Sequence, residues 1–153
     1  MTDTTHQTAV VVTPPESCWE PIQAIRREHD KQVRRWMPHI TMLYPFRPRS
    51  EFEAAAGALS AACGAIPSFE VTLTEFGYFC HGGSSYTLWL APEPAEPLVR
   101  LQAAMLSAVP ECDETSRYAG GFTPHLSVGQ APGRKAAPGN PDSPSLPAPH
   151  SAR

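Results

Sequence analysis

Two short phrases decide how this chain reads: Pro38-His39-Ile40-Thr41-Met42 and Pro124-His125-Leu126-Ser127-Val128. In each, a proline precedes a histidine, an aliphatic residue, a hydroxyl residue and a second aliphatic residue. Apolar side chains at every second position predict a strand, along which side chains alternate between two faces. His39 and Thr41 then share one face while Ile40 and Met42 share the other, and His125 and Ser127 repeat the arrangement 86 positions later. A lone His-x-Thr says little, because any strand can carry one. Two copies in matching surroundings predict a duplicated unit, with pseudo-symmetric lobes that present their histidines to one cleft.

The surroundings do match. Ala9-Val-Val-Val-Thr13 is a short apolar strand ended by Pro14 and Pro15, and Tyr86-Thr-Leu-Trp-Leu-Ala91 is another ended by Pro92 and Pro94. A proline-led helix follows each, since the first helical turn has no use for the N–H that proline lacks. The first opens at Glu20-Pro21 and sets Ile22, Ile25, His29, Val33 and Trp36 at three-to-four spacing; the second opens at Glu96-Pro97 and sets Leu98, Leu101, Met105, Leu106 and Val109 before Pro110. The first half goes on to a helix over about 50 to 66, with Ser50 as its cap and Glu53 three residues on, and then a strand over Phe69–Phe76. The second half supplies strand, helix and histidine strand, and then its composition changes. Residues 131–153 hold six prolines and one large aliphatic side chain, Leu146, so this Pro/Ala/Gly-rich tail is expected to be disordered. The resulting expectation is an α+β domain over 1–130, with lobe one at about 9–80, lobe two at about 84–130, and lobe two left without its last helix and strand.

A chain of 153 residues with 41% apolar and 18% charged residues suits one globular domain. Its net charge of −3 argues against coating long double-stranded nucleic acid and leaves a small or terminal phosphate as the fitting ligand. The start carries no basic region, and the apolar run Ala9–Val12 is too short for a signal core or a membrane span, so a cytoplasmic monomer without membrane attachment is expected. Cys18, Cys63, Cys80 and Cys112 form no C-x-x-C pair and read as free thiols, mostly buried.

The histidine pairs suggest chemistry. Imidazole titrates near neutrality, so one neutral ring can take a proton from water while a second, protonated ring gives one to a leaving oxygen. The hydroxyls of Thr41 and Ser127 can donate to non-bridging phosphate oxygens as charge builds. A phosphodiester is cleavable in this way with no metal and no cofactor. Tyr44 and Phe122 lie close to the two phrases and are candidate substrate contacts, as an aromatic ring can stack on a base; Phe46, Phe76, Tyr78 and Phe79 read chiefly as core. His29, in line with the apolar positions of its helix, reads as a partly buried histidine. Arg26, Arg27, Lys31, Arg34 and Arg35 read as the solvated face of that helix, with phosphate steering as the lesser alternative. His81, in Cys80-His-Gly-Gly-Ser84, lacks the closed ligand set of a zinc site.

The paired phrases resemble the two His-x-Thr/Ser motifs of the two-histidine (2H) phosphoesterase superfamily, in particular the bacterial 2′-5′ RNA ligase family proteins. Arg35-Trp-Met-Pro-His-Ile-Thr-Met-Leu-Tyr-Pro-Phe46, Arg27-Glu-His-Asp30 and Phe122-Thr-Pro-His-Leu-Ser-Val-Gly-Gln130 carry the likeness, which spans residues 9–130. It implies a bilobal fold with antiparallel sheets around a central cleft. It also implies hydrolysis, or reverse ligation, of 2′,3′-cyclic phosphates or 2′-5′ phosphodiesters in RNA ends or small nucleotides. His39 and His125 would be catalytic, and Thr41 and Ser127 would bind phosphate. Family members continue past the second motif with a helix and a strand, so the resemblance implies a chain truncated after that motif. The alternative reading is a nucleotide-binding relative without turnover.

Overall fold

The computed structural model of the chain describes residues 3–81, 85–117 and 121–132. Its elements run β1 (Val10–Val12), α1 (Trp19–His29), β2 (Ile40–Leu43), α2 (Phe52–Cys63), β3 (Thr72–His81), β4 (Ser85–Glu93), α3 (Glu96–Ala108) and β5 (Leu126–Pro132). The duplication is visible in this order: β1-α1-β2 and β4-α3-β5 are the same strand–helix–strand unit, each ending in a histidine phrase. The strand order in the sheet is β1-β2-β5-β4-β3. The two histidine strands are thus neighbours, antiparallel and joined at Ile40↔Leu126, and β5–β4 and β4–β3 are antiparallel as well.

Each phrase becomes a strand at the residue after its histidine, β2 at Ile40 and β5 at Leu126, and the burial alternates as expected. Ile40, Met42, Leu126 and Val128 are all buried, whereas His39, Thr41, His125 and Ser127 are partly exposed. Each fully buried aliphatic side chain contributes about 1.5–3 kcal/mol relative to an exposed one, so this alternation fixes the face of each histidine more firmly than any local preference could.

The chain forms two compact units, each assembled from three segments. One comprises residues 1–12, 41–69 and 95–124. Its core holds Leu43, Phe46, Ala55, Val109 and Cys112, with Val10, Leu59, Met105 and Leu106 packed against it, and α2 lies against α3. An Arg47 Nε–Glu111 Oε1 hydrogen bond of 2.6 Å ties the segment after β2 to the one after α3. The other unit comprises, of the described residues, those in 13–40, 70–94 and 125–132 and contains α1, β3, β4 and β5. Here Ile22, Ile25, Leu73, Leu88, Leu90, Leu126 and Val128 are buried. α1 packs on β5, where Gly129 makes the approach possible: a Cβ there would lie 2.7 Å from His29 Cβ and 2.9 Å from the His29 carbonyl oxygen.

Several expectations need correction. The first helix ends at His29 instead of running to Trp36, so Val33 and Trp36 belong to the following loop. Asp30 leaves the helical region (φ −109°, ψ 113°) because its carboxylate accepts the N–H of Gln32 at 2.8 Å, a local turn that competes with another helical turn. Arg26 is not on a solvated face but is 1% exposed, paired with Asp30. α2 starts at Phe52 after a short 3-10 turn over Arg49–Glu51, and Ser50 makes no capping hydrogen bond. β3 begins three residues later than expected and continues to His81. β5 continues through Ala131 and Pro132, which pair with Tyr86 and Ser85; the rest of the expected tail, 133–153, lies outside the described residues. Of the four free thiols only Cys112 is buried, and Cys80 is exposed.

Candidate active site

His39 and His125 belong to the same unit, together with Ser127. His39 precedes Ile40 and His125 precedes Leu126, the two residues that face each other across the β2–β5 pairing. In an antiparallel ladder, residues flanking one pair in this way are diagonal neighbours on one face, about 7–8 Å apart between Cα atoms. That distance lets both rings reach a single small group.

His39 is oriented by its own backbone. Its Nδ1 lies 2.8 Å from the carbonyl oxygen of Met37, and because a carbonyl can only accept, Nδ1 carries the proton. The neutral ring therefore keeps its lone pair on Nε2. The Trp36 ring lies against it, with centroids 5.5 Å apart.

His125 lies among aromatic rings. Phe79 meets it edge-on at 4.8 Å and 89°, and Trp89 lies 5.9 Å away, with Phe79 and Trp89 themselves 5.0 Å apart. The register explains this box. On β4, Tyr86, Leu88 and Leu90 are buried while Thr87 and Trp89 point to the other face. Trp89 is opposite Ser127 on β5 and Gly77 on β3, and Thr87 is opposite Phe79. A β-bulge between Leu88 and Trp89 leaves Val128 as the extra residue, so that Ser127 and Gly129 face opposite sides of the sheet. Gly77 leaves room for the indole: a Cβ at that position would be 2.5 Å from Trp89 Cη2. The indole N–H is buried and finds no acceptor among the described residues.

Two histidine phrases, one on each of two adjacent antiparallel strands within a duplicated β-α-β frame, agree with the comparison to known proteins. The sequence model of the 2′-5′ RNA ligase superfamily matches residues 14–143. The chain belongs to the 2′-5′ RNA ligase superfamily. It is also 27% identical over 126 residues, 79% of this chain and 67% of the relative, to a protein of Geobacillus kaustophilus (strain HTA426) named "Putative phosphoesterase". In this superfamily member the two strands and the helices before them are the elements that the sequence singled out. Trp89 and Gly77, by contrast, carried no signal: an alternating strand with a tryptophan reads as core, and only the register shows the indole lying over a glycine beside His125.

The remaining candidates are distributed as follows. Thr41 follows Ile40 on β2 and is partly exposed between buried neighbours. Tyr44 and Phe122 are in the other unit; the Tyr44 hydroxyl donates to the His6 carbonyl oxygen at 3.0 Å. His29 is partly buried, with its Nε2 3.6 Å from Glu28 Oε2. His81 lies 2.8 Å from the Thr87 hydroxyl. Among the described residues no group of three or more His, Cys, Asp or Glu side chains converges as metal ligands would, and no helix is long and apolar enough to cross a membrane.

Proposed function

We propose that the protein is a phosphodiesterase of this superfamily that opens 2′,3′-cyclic phosphates, or cleaves 2′-5′ phosphodiesters, at RNA ends or in small nucleotides. The observation that carries the reading is the Ile40↔Leu126 pairing, with a histidine before each member. The neutral His39 ring, anchored through Nδ1–H, has its Nε2 lone pair available to take a proton from water as the water oxygen attacks phosphorus. His125, as imidazolium, gives its proton to the ribose oxygen as the P–O bond breaks. The product is a phosphomonoester, and the rings finish with their protonation states exchanged. Ser127, in the same unit as the two histidines, donates a hydrogen bond to a non-bridging oxygen.

The test is a screen of nucleoside 2′,3′-cyclic phosphates and 2′-5′-linked dinucleotides in the presence of a chelator. Hydrolysis should persist and show a bell-shaped pH profile. His39→Ala or His125→Ala should each lower kcat about 10²- to 10⁴-fold, the usual contribution of a positioned acid or base, and Ser127→Ala by about 10²- to 10³-fold, the cost of one lost oxyanion donor. No turnover of any member of the panel, or full activity in both histidine variants, would overturn the reading. Binding of the same nucleotides without turnover would instead identify a nucleotide-binding relative.

A further inference from the structure

The charges of this chain are segregated around the first histidine. Between Lys31 and Ser50 there are five basic residues and no acidic one, in a protein whose net charge is −3. Among the described residues, every lysine and arginine except Lys31, Arg34, Arg35 and Arg49 sits in an ion pair. Three of these four exposed cations belong to one loop, residues 30–38, which ends at His39.

This loop is built, not slack. Arg26 and Asp30 form a buried pair at 2.8 Å. Asp30 Oδ1 accepts the Gln32 N–H at 2.8 Å and Gln130 Nε2 at 3.0 Å, while Lys31 N–H donates to Gln130 Oε1 at 2.9 Å. The N–H groups of Arg35 and Trp36 donate to the Gln32 carbonyl oxygen. At its far end the loop holds His39 through the Met37 carbonyl and the Trp36 ring. The cations are therefore displayed on a fixed backbone, so that less ordering is needed when a ligand docks.

We propose that Lys31, Arg34 and Arg35 form the docking surface for the sugar–phosphate chain of a single-stranded RNA end, so that the substrate of the histidine site is an oligonucleotide terminus and not a free mononucleotide. This rests on the phosphodiesterase reading above and narrows its substrate class. Chain length sets the reach: Arg35 lies at most about 14 Å and Lys31 at most about 29 Å from His39 in Cα spacing. Phosphates one or a few nucleotides from the terminal one fall within that span, whereas a mononucleotide has no phosphate to place there. Contacts of this kind are independent of base sequence and weaken steeply with salt, by about 0.7 in the log–log slope per neutralised phosphate on a single strand. Three contacts are compatible with a net negative chain because no acidic residue lies between Lys31 and Ser50 and Asp30, at the start of the loop, is paired with Arg26.

The experiment compares wild type with Lys31→Gln/Arg34→Gln/Arg35→Gln on two substrates: a nucleoside 2′,3′-cyclic phosphate, and an oligoribonucleotide of about ten residues ending in the same cyclic phosphate, long enough to engage all three side chains. The triple variant should lose tenfold or more in kcat/KM on the oligonucleotide, with the salt slope shallower by about 2, and stay within twofold of wild type on the mononucleotide. An unchanged denaturation midpoint confirms that the fold is intact. A second arm measures binding by fluorescence anisotropy, with a labelled oligoribonucleotide ending in a 3′-phosphate, and needs no turnover; affinity should fall tenfold or more in the variant. Equal loss on both substrates, or no loss on either and no change in binding, would overturn the proposal. If neither substrate is turned over while the anisotropy difference is present, the phosphodiesterase reading fails and the docking surface stands.

Discussion

At the scale of single residues, the two histidines have different surroundings. His39 depends on a backbone carbonyl, which no side-chain substitution removes. His125 packs against Phe79 and Trp89, and Trp89 lies where a side chain at Gly77 would be. Gly77→Ala should therefore act on His125 at one remove. The new methyl group overlaps the indole by more than an ångström relative to ordinary contact, and overpacking of this kind costs about 1–3 kcal/mol. We expect a lowered urea midpoint together with a fall in kcat that exceeds any rise in KM, because a displaced indole no longer fixes the angle of the imidazole. Gly129→Ala is the control for simple destabilisation: its methyl group would meet the backbone of α1 at 2.9 Å and should weaken the unit at least as much. An equal effect on kcat in the two variants at matched stability would show that Trp89 has no positioning role.

At the scale of elements, the sequence revealed what alternation and proline placement control. The histidine phrases, the strands at Val10–Val12 and Ser85–Glu93 and the proline-led helices were all legible from periodicity, because burial of one face decides each of them. The end of α1 was not. Val33 and Trp36 continue the three-to-four spacing after His29, and nothing in a helical pattern indicates that Asp30 is to accept Gln32 N–H and the side chain of Gln130, a hundred positions away. The same long-range partner hid Arg26: an arginine beside Arg27 reads as solvated until a buried carboxylate is seen next to it. Removing one member of a buried pair leaves the other charge unpaired and costs about 3–5 kcal/mol. Arg26→Met keeps the length of the side chain, discards its charge and should show a loss of that size in urea unfolding. A loss below about 1 kcal/mol, the range of an exposed pair, would mean that water reaches Asp30.

At the scale of the whole molecule, most ion pairs among the described residues join exposed side chains and add little to stability. In two of the pairs neither side chain is exposed, and each of these lies within one unit. Arg26–Asp30 has side chains 2% and 4% exposed, and Arg47–Glu111 has side chains 16% and 21% exposed. Burial by itself would push the Asp30 carboxyl up, but hydrogen bonds from Arg26, Gln130 and the Gln32 N–H, with the charge of Arg26, outweigh it and hold the group below its ordinary value. At Glu111 the hydrogen bond from Arg47 is the largest influence, exceeds the opposing effect of burial, and likewise holds the carboxyl low. A carboxyl with a lower pKa folded than unfolded binds fewer protons in the folded state, so stability rises with pH through that interval. The contribution is complete above the ordinary carboxylate range of about 3.9–4.3 and is lost as pH falls through the depressed folded values. Urea unfolding followed from pH 7 down to pH 3 should therefore show a steep loss on the acid side. Asp30→Asn and Glu111→Gln should each lower the neutral-pH plateau and flatten the acid limb, because the group that titrates is gone while its arginine remains. A curve for either variant that runs parallel to wild type across the acid limb would show that the carboxylate replaced is not among those whose protonation unfolds the protein.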